Sequence, residues 1–154
     1  MLLFLKTKNT DMEKFRVLED DATADIAYFA YGKSLEEMYE NAALGLFSLI
    51  AELQKVDERQ VDLITVEAED REALMLDFLN ELIYRWDTEG VLFSSFSCEL
   101  DETSEGLKLV AECKGEVFDE ERHEINAEVK AVTYFGMEVK KENDTWKTKV
   151  TPDV

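Results

Sequence analysis

Apolar and polar positions change their spacing repeatedly along the chain, and each change marks a different element. Lys14-Phe15-Arg16-Val17-Leu18-Glu19 alternates apolar and polar, as a half-buried strand does, and Asp25 to Tyr31 is an aromatic and apolar run ending at Gly32 that reads as a second strand. An acidic turn lies between them. From Ser34 the spacing becomes three and four: Leu35, Met38, Ala42, Leu46, Leu49 and Leu53 form one apolar stripe on a helix expected to reach about Gln54. Ser34-Leu35-Glu36-Glu37 opens it as a capping box, because the serine oxygen accepts from the N–H three residues on while Glu37 reaches back.

Val61 to Ala68 predicts a strand, after which Asp70 caps a second helix running through Trp86, with Leu74, Phe78, Leu82 and Trp86 on one face. Gly90 stops that helix. The spacing then falls to two, in strands over Val91 to Leu100 and Leu107 to Lys114 joined by a hairpin loop from Glu102 to Gly106. A further strand is expected over Val129, Ala131, Thr133, Phe135, Met137 and Val139. Asn143-Asp144 then turns the chain, and Trp146 to Val150 returns until Pro152 closes the strand. Helices set among runs of hairpin strands, without regular βαβ alternation, predict an α+β fold: a single domain with a mixed or antiparallel sheet and two helices packed against it. Residues 1–12 do not share the pattern and read as an N-terminal extension of uncertain order, with Met12 a candidate natural start and the domain spanning residues 13–154.

Composition sharpens this picture. A chain of 154 residues can bury about 70% of its unfolded surface, and a hydrophobic fraction of 45% is that of a folded protein despite the heavy charge. The 36 acidic against 17 basic residues give a net charge of -19, which repels phosphate backbones and anionic lipid over most of the surface. Direct nucleic-acid binding is therefore not expected, while a basic protein partner, a bound cation or plain solubility would each account for the acidity. Cys98 and Cys113 fall in strands with no C-x-x-C spacing, and His123 is the sole histidine, so structural zinc is not expected. Two buried thiols in a reducing cytoplasm is the expectation, with a disulfide between facing strands the minor alternative. No apolar run approaches the ~20 residues of a membrane span, and Met1-Leu2-Leu3-Phe4-Leu5 lacks the basic start and cleavage site of a signal peptide. The expected location is cytoplasmic, with no membrane partner.

Candidate chemistry is sparse: there is no G-x-S-x-G, no P-loop and no dinucleotide fingerprint. What stands out is a pair of acidic spots, Asp21-Ala22-Thr23-Ala24-Asp25 and Pro152-Asp153-Val154 with its terminal carboxylate. Brought together, such hard oxygen donors suit Mg²⁺, Ca²⁺ or Mn²⁺ better than a softer metal. The plainer alternatives are an Asx turn at Asp21 or Asp25 and a solvated terminal residue at Asp153.

The order of short blocks is more specific. Asp21-Ala22-Thr23-Ala24-Asp25-Ile26, Tyr31-Gly32-Lys33-Ser34-Leu35-Glu36-Glu37 and Glu40-Asn41-Ala42-Ala43-Leu44-Gly45-Leu46-Phe47 resemble the archease family. So do Asn80-Glu81-Leu82-Ile83-Tyr84, Asp87-Thr88-Glu89-Gly90, Gly115-Glu116 with Asp119, Arg122-His123-Glu124, Glu128-Val129-Lys130-Ala131-Val132-Thr133-Tyr134 and Pro152-Asp153-Val154. The resemblance covers about Glu13 to Val154. It implies a non-enzymatic, metal-binding protein cofactor of the RtcB-type ligase of tRNA splicing and RNA repair, which promotes guanylylation and turnover of that ligase. By the same resemblance Asp25, Asp153 and Val154 match the metal site, and Lys130 matches the lysine implicated in activating the ligase. Asp21 and Asp87 are secondary candidates, although turn chemistry before Gly90 also accounts for Asp87.

Two positions depart from the family pattern, Ala22 and Phe135, where the family usually carries histidine. The oxygen donors remain. Two other readings compete: a divalent-metal-dependent phosphoester hydrolase holding its ion on Asp25, Asp153 and Asp87, and a general acidic chaperone or adaptor for basic clients. The first predicts turnover that is lost in Asp25→Ala, and the second predicts salt-sensitive binding to many partners.

Overall fold

The computed structural model describes residues 13–20 and 25–154, and the side chains of Glu19, Asp20 and Asp25 lie outside the description, as does the extension over residues 1–12. In chain order the elements are β1 (Phe15–Asp20), β2 (Asp25–Gly32), α1 (Leu35–Ile50), a 3₁₀ turn (Leu53–Lys55), β3 (Gln60–Ala68), α2 (Arg71–Glu89), β4 (Val91–Thr103), β5 (Gly106–Val117), β6 (Ala131–Thr133), β7 (Val139–Glu142) and β8 (Thr145–Asp153). The strands form two antiparallel sheets. One runs β1-β2-β8-β6 with β7 also paired to β8, and the other runs β3-β5-β4. The α+β class is as expected, and the single predicted sheet resolves into two.

Both helices begin where the sequence caps them. Ser34 accepts from the Glu37 N–H at 3.1 Å while the Glu37 carboxylate takes the Lys33 N–H at 2.9 Å, and Asp70 accepts from the Ala73 N–H at 2.8 Å. α2 ends at Gly90, whose φ of 68° is left-handed and whose N–H donates back to the Trp86 carbonyl. α1 stops at Ile50, short of Gln54, because tertiary pairing takes over its last turn: the Ile50 carbonyl accepts from Asn126 N–H, and Ala51 bridges to Ile125.

α1 packs against β2 of the first sheet and β4 of the second, and α2 lies along β3, β5 and β6. Tyr28, Met38, Leu46, Phe47, Ile50, Phe78, Leu79 and Phe93 are fully buried between them, and Phe47 meets Phe93 edge-on with centroids 5.7 Å apart. Each such side chain contributes about 1.5–3 kcal/mol of transfer free energy. Gly45 lets α1 approach β2 closely, since a Cβ there would lie 2.6 Å from the Tyr28 ring, whose hydroxyl donates to the Ala42 carbonyl at 2.7 Å.

Cys98 and Cys113 are both free and buried on the inner face of the second sheet. Burial pushes the Cys98 thiol well up and the Cys113 thiol up to about 12, so neither is a reactive thiolate. The free edge of β4 is satisfied at Cys98, whose N–H donates to the Glu40 carboxylate of α1 at 2.8 Å.

β4, β5 and β8 run a few residues beyond their expected ends, and two strands differ from the expectation more substantially. The predicted strand from Val129 to Val139 is two short ones, because the chain turns after Tyr134: Met137 N–H donates to the Tyr134 carbonyl and Gly136 takes φ 66°. Pro152 does not close the last strand but lies inside β8, opposite Val132. The ladder between β2 and β8 ends at Tyr28 opposite Val150, so on the β2 side the missing proline N–H removes no bond of that ladder.

Candidate functional site

β8 sits between β2 on one side and β6 with β7 on the other, and this placement organises the candidate residues. Lys130 enters β6, and its N–H donates to the Asp153 carbonyl at 2.8 Å; the next residue, Ala131, pairs with Asp153. Lys130 and Asp153 of the expected site are thus locked together through the backbone. Both side chains are exposed, and Val154 is 45% exposed beside them.

Asp25 begins β2, and counting three residues back along β2 and three forward along β8 from Tyr28 opposite Val150 reaches Asp25 and Asp153. The two aspartates therefore lie at the same end of neighbouring antiparallel strands, beyond the last β2–β8 pair. The side chain of Asp25 lies outside the described residues, and so does Asp21 altogether. Asp87 stands exposed on the last turn of α2, and no hydrogen bond or ion pair among the described residues joins it to Lys130, Asp153 or Val154. Among the described residues no group of three or more histidine, cysteine, aspartate or glutamate side chains is placed to hold a metal. The donors at Asp153 and Val154 are hard oxygens, which fit Mg²⁺, Ca²⁺ or Mn²⁺ by chemistry.

The short strand β6 owes its position to α2. Asn80 receives the Val132 N–H on its Oδ1 at 2.8 Å and donates from Nδ2 to the Val132 carbonyl at 3.2 Å, so one amide side chain completes the edge of the sheet. Further along, the Glu72 carboxylate accepts from the Val139 N–H at 2.9 Å. Asn80 lies in one of the resembling blocks, yet its role is visible only once residues 52 positions apart meet. Beyond β6 the turn presents Tyr134 at 52% and Phe135 at 79% exposure, an aromatic pair of the kind that anchors protein partners. Thr151 Oγ1 donates to the Phe135 carbonyl at 3.4 Å.

His123 belongs to a separate network. Its Nδ1 accepts from the Asp119 N–H at 3.0 Å, and its Nε2 lies 3.1 Å from both the Lys55 carbonyl and the Glu116 carboxylate. Arg122 grips Glu116 with two contacts of 2.8 Å, and Asp57 N–H also donates to that carboxylate. These hydrogen bonds, that from Arg122 above all, lower the Glu116 carboxyl to about 2 although the residue is buried. Every partner is intramolecular, which makes this a structural clamp between the end of β5 and the segments around Lys55 and Asp119.

The fold and site define a small acidic α+β protein of two antiparallel sheets in which a strand ending in aspartate meets a lysine at the edge of the first sheet. The model of the Archease protein family matches residues 15–154, and the chain belongs to the archease family. It is 42% identical over 133 residues to the protein archease of Pyrococcus abyssi, covering 86% of this chain and 94% of that one. It is also 40% identical over 134 residues to the protein archease of Methanothermobacter thermautotrophicus, covering 87% and 95%. The solution structure of Methanobacterium thermoautotrophicum protein 1598 superposes with a TM-score of 0.81 at 38% identity, over 93% of this chain and 100% of that one. A Thermotoga maritima crystal structure, described as an archease and possible chaperone, superposes with a TM-score of 0.58 at 26% identity, over 94% and 98%.

Proposed function

We propose that this protein is a non-enzymatic cofactor of an RtcB-type RNA-splicing ligase, which it helps to become guanylylated and to keep turning over. The observation that carries this reading is the backbone lock between Lys130 and Asp153, with Asp25 at the same end of the neighbouring strand. Asp25, Asp153 and the Val154 carboxylate would hold a divalent cation, Ca²⁺, Mg²⁺ or Mn²⁺, and such a cation supplies charge compensation for a phosphate during transfer. Lys130 would contact a phosphate oxygen or an acidic group of the ligase, its backbone held in place by the Asp153 carbonyl. The exposed Tyr134 and Phe135 lie on the same strand connection and would rest on the ligase surface.

A hydrolase reading receives less support. Cavities of about 450 and 630 Å³ among the described residues are lined around Glu37 to Ser94 and around Asp70 to Leu107, and neither includes Lys130, Asp153 or Asp87. The chaperone reading shares the exposed aromatic pair but gives the lysine and aspartates no part. The test is guanylylation of the cognate ligase by GTP and divalent metal, with and without this protein. Wild type should accelerate it, while Asp25→Ala, Asp153→Ala and Lys130→Ala should each lose at least about tenfold, the scale of one lost charged contact. Acceleration that survives all three substitutions would leave the adaptor reading in its place. A cytoplasmic location goes with this partner; among the described residues no helix is long and apolar enough to cross a membrane.

A further inference from the structure

On the first sheet the even-numbered residues of β2 and β8, Tyr28, Ala30, Thr148 and Val150, are buried against the core, so the odd-numbered ones form the opposite face. The strand register arranges that face in rows. One row is Arg16, Phe29 and Lys149; the next is Tyr31, Lys147 and Lys140, with the Lys14 carbonyl bonded to the Tyr31 N–H. Side-chain contacts tie the rows together: Lys147 Nζ sits 4.1 Å from the Phe29 ring centroid, and the Phe29 and Tyr31 rings lie 6.4 Å apart at 35°.

The two rows are richer in basic side chains than the molecule, while Asp153 lies further along the same face and Glu142 beside it. With 36 acidic and 17 basic residues most cations are neutralised, and here too Glu13 holds Arg16 while Glu138 and Glu142 flank Lys140. Lys147 and Lys149 belong to no ion pair among the described residues. Lysines outside ion pairs beside two aromatic rings on an antiparallel sheet are a combination that binds single strands, with lysines on phosphates and rings under bases, although Lys147 also lies near enough to Glu142 to lower its carboxyl. Successive rows are two residues apart, about 6.7 Å, a reach comparable to the spacing of phosphates in an extended strand.

We propose that this face binds single-stranded RNA, the strand running along β2 and β8 with its phosphates on Lys147, Lys149 and Arg16 and its bases on Phe29 and Tyr31. The same β2–β8 pair carries the strand towards the level of Asp153. The whole-molecule charge confines binding to this face and makes it weak and steeply salt-dependent.

The test is fluorescence anisotropy of a labelled oligouridylate titrated with the full-length protein alone, so that its failure says nothing about the ligase reading. Binding at low salt is expected. Lys147→Gln with Lys149→Gln should weaken it at least about tenfold and reduce the salt slope by about one per lysine. Phe29→Leu, which keeps an apolar side chain in the sheet, should weaken binding about fivefold or more with little change in that slope. Unfolding curves identify any variant that has lost its fold, and Arg16→Gln, on an exposed side chain, serves as the backup with a smaller loss in the same direction. No binding by wild type overturns the proposal. So does binding that these substitutions leave unchanged, or displacement of the RNA by polyglutamate, which would mean that the lysines read charge alone.

Discussion

Glu116 is withdrawn from water yet held ionised, because Arg122, His123 and the Asp57 N–H all converge on it. Its carboxyl lies near 2 in the folded protein and near 4.3 when unfolded, so its contribution to stability is complete above about pH 5.5. It is lost as the pH falls towards about 2. Arg122→Met should destabilise the protein at pH 7, since it leaves the buried Glu116 carboxylate to His123, the Asp57 N–H and the more distant Arg59, and should flatten the acid limb of the stability curve. Urea unfolding of both proteins at pH 7 and pH 3 checks the sign: the gap between them must narrow at the lower pH. Asn80 is a neutral counterpart. Asn80→Ala strips Val132 of both backbone partners, at a cost of about 1–3 kcal/mol in urea unfolding, and should also weaken ligase activation by loosening the strand that presents Lys130.

At the scale of elements, what the sequence made legible was local. Ser34, Asp70 and Gly90 mark helix ends through contacts within a few residues, and the structure finds all three at work. Asn143-Asp144, both at positive φ, turns β7 back into β8 as the dipeptide suggests. The misread boundaries depend on distant partners: Asn126 ends α1 at Ile50, and Pro152 fits inside β8 because its neighbour there is β6. The strand break after Tyr134 had a local sign in Gly136, hidden by the alternation of Thr133, Phe135 and Met137. Of the candidate residues named from their order in the sequence, Asp153 and Lys130 meet through the backbone, Asp25 begins the neighbouring strand at the same end, and Asp87 joins neither. The Asn80 clamp was not legible, since an asparagine within a helix gives no sign of a strand across the molecule.

For the molecule as a whole, the two sheets differ in how far apart in the chain their partners lie. β4 and β5 are joined by a two-residue turn, whereas β2 finds β8 only across both helices and the whole second sheet, Tyr28 meeting Val150. Closing so long a stretch costs entropy before any contact repays it, so the hairpin and the helix stripes should order first and the β2–β8 pairing last. Elements added last are commonly the first to open. In native-state hydrogen exchange the amides bonded between β2 and β8 should therefore exchange well before those of β4 and β5, and equal protection in the two sheets would contradict this. The lysine and aspartate pairing would then be governed by a fluctuation of the folded protein, transient parting of one strand, so a partner that binds across β2, β6 and β8 would gain by catching that seam and would leave the molecule more rigid than it found it.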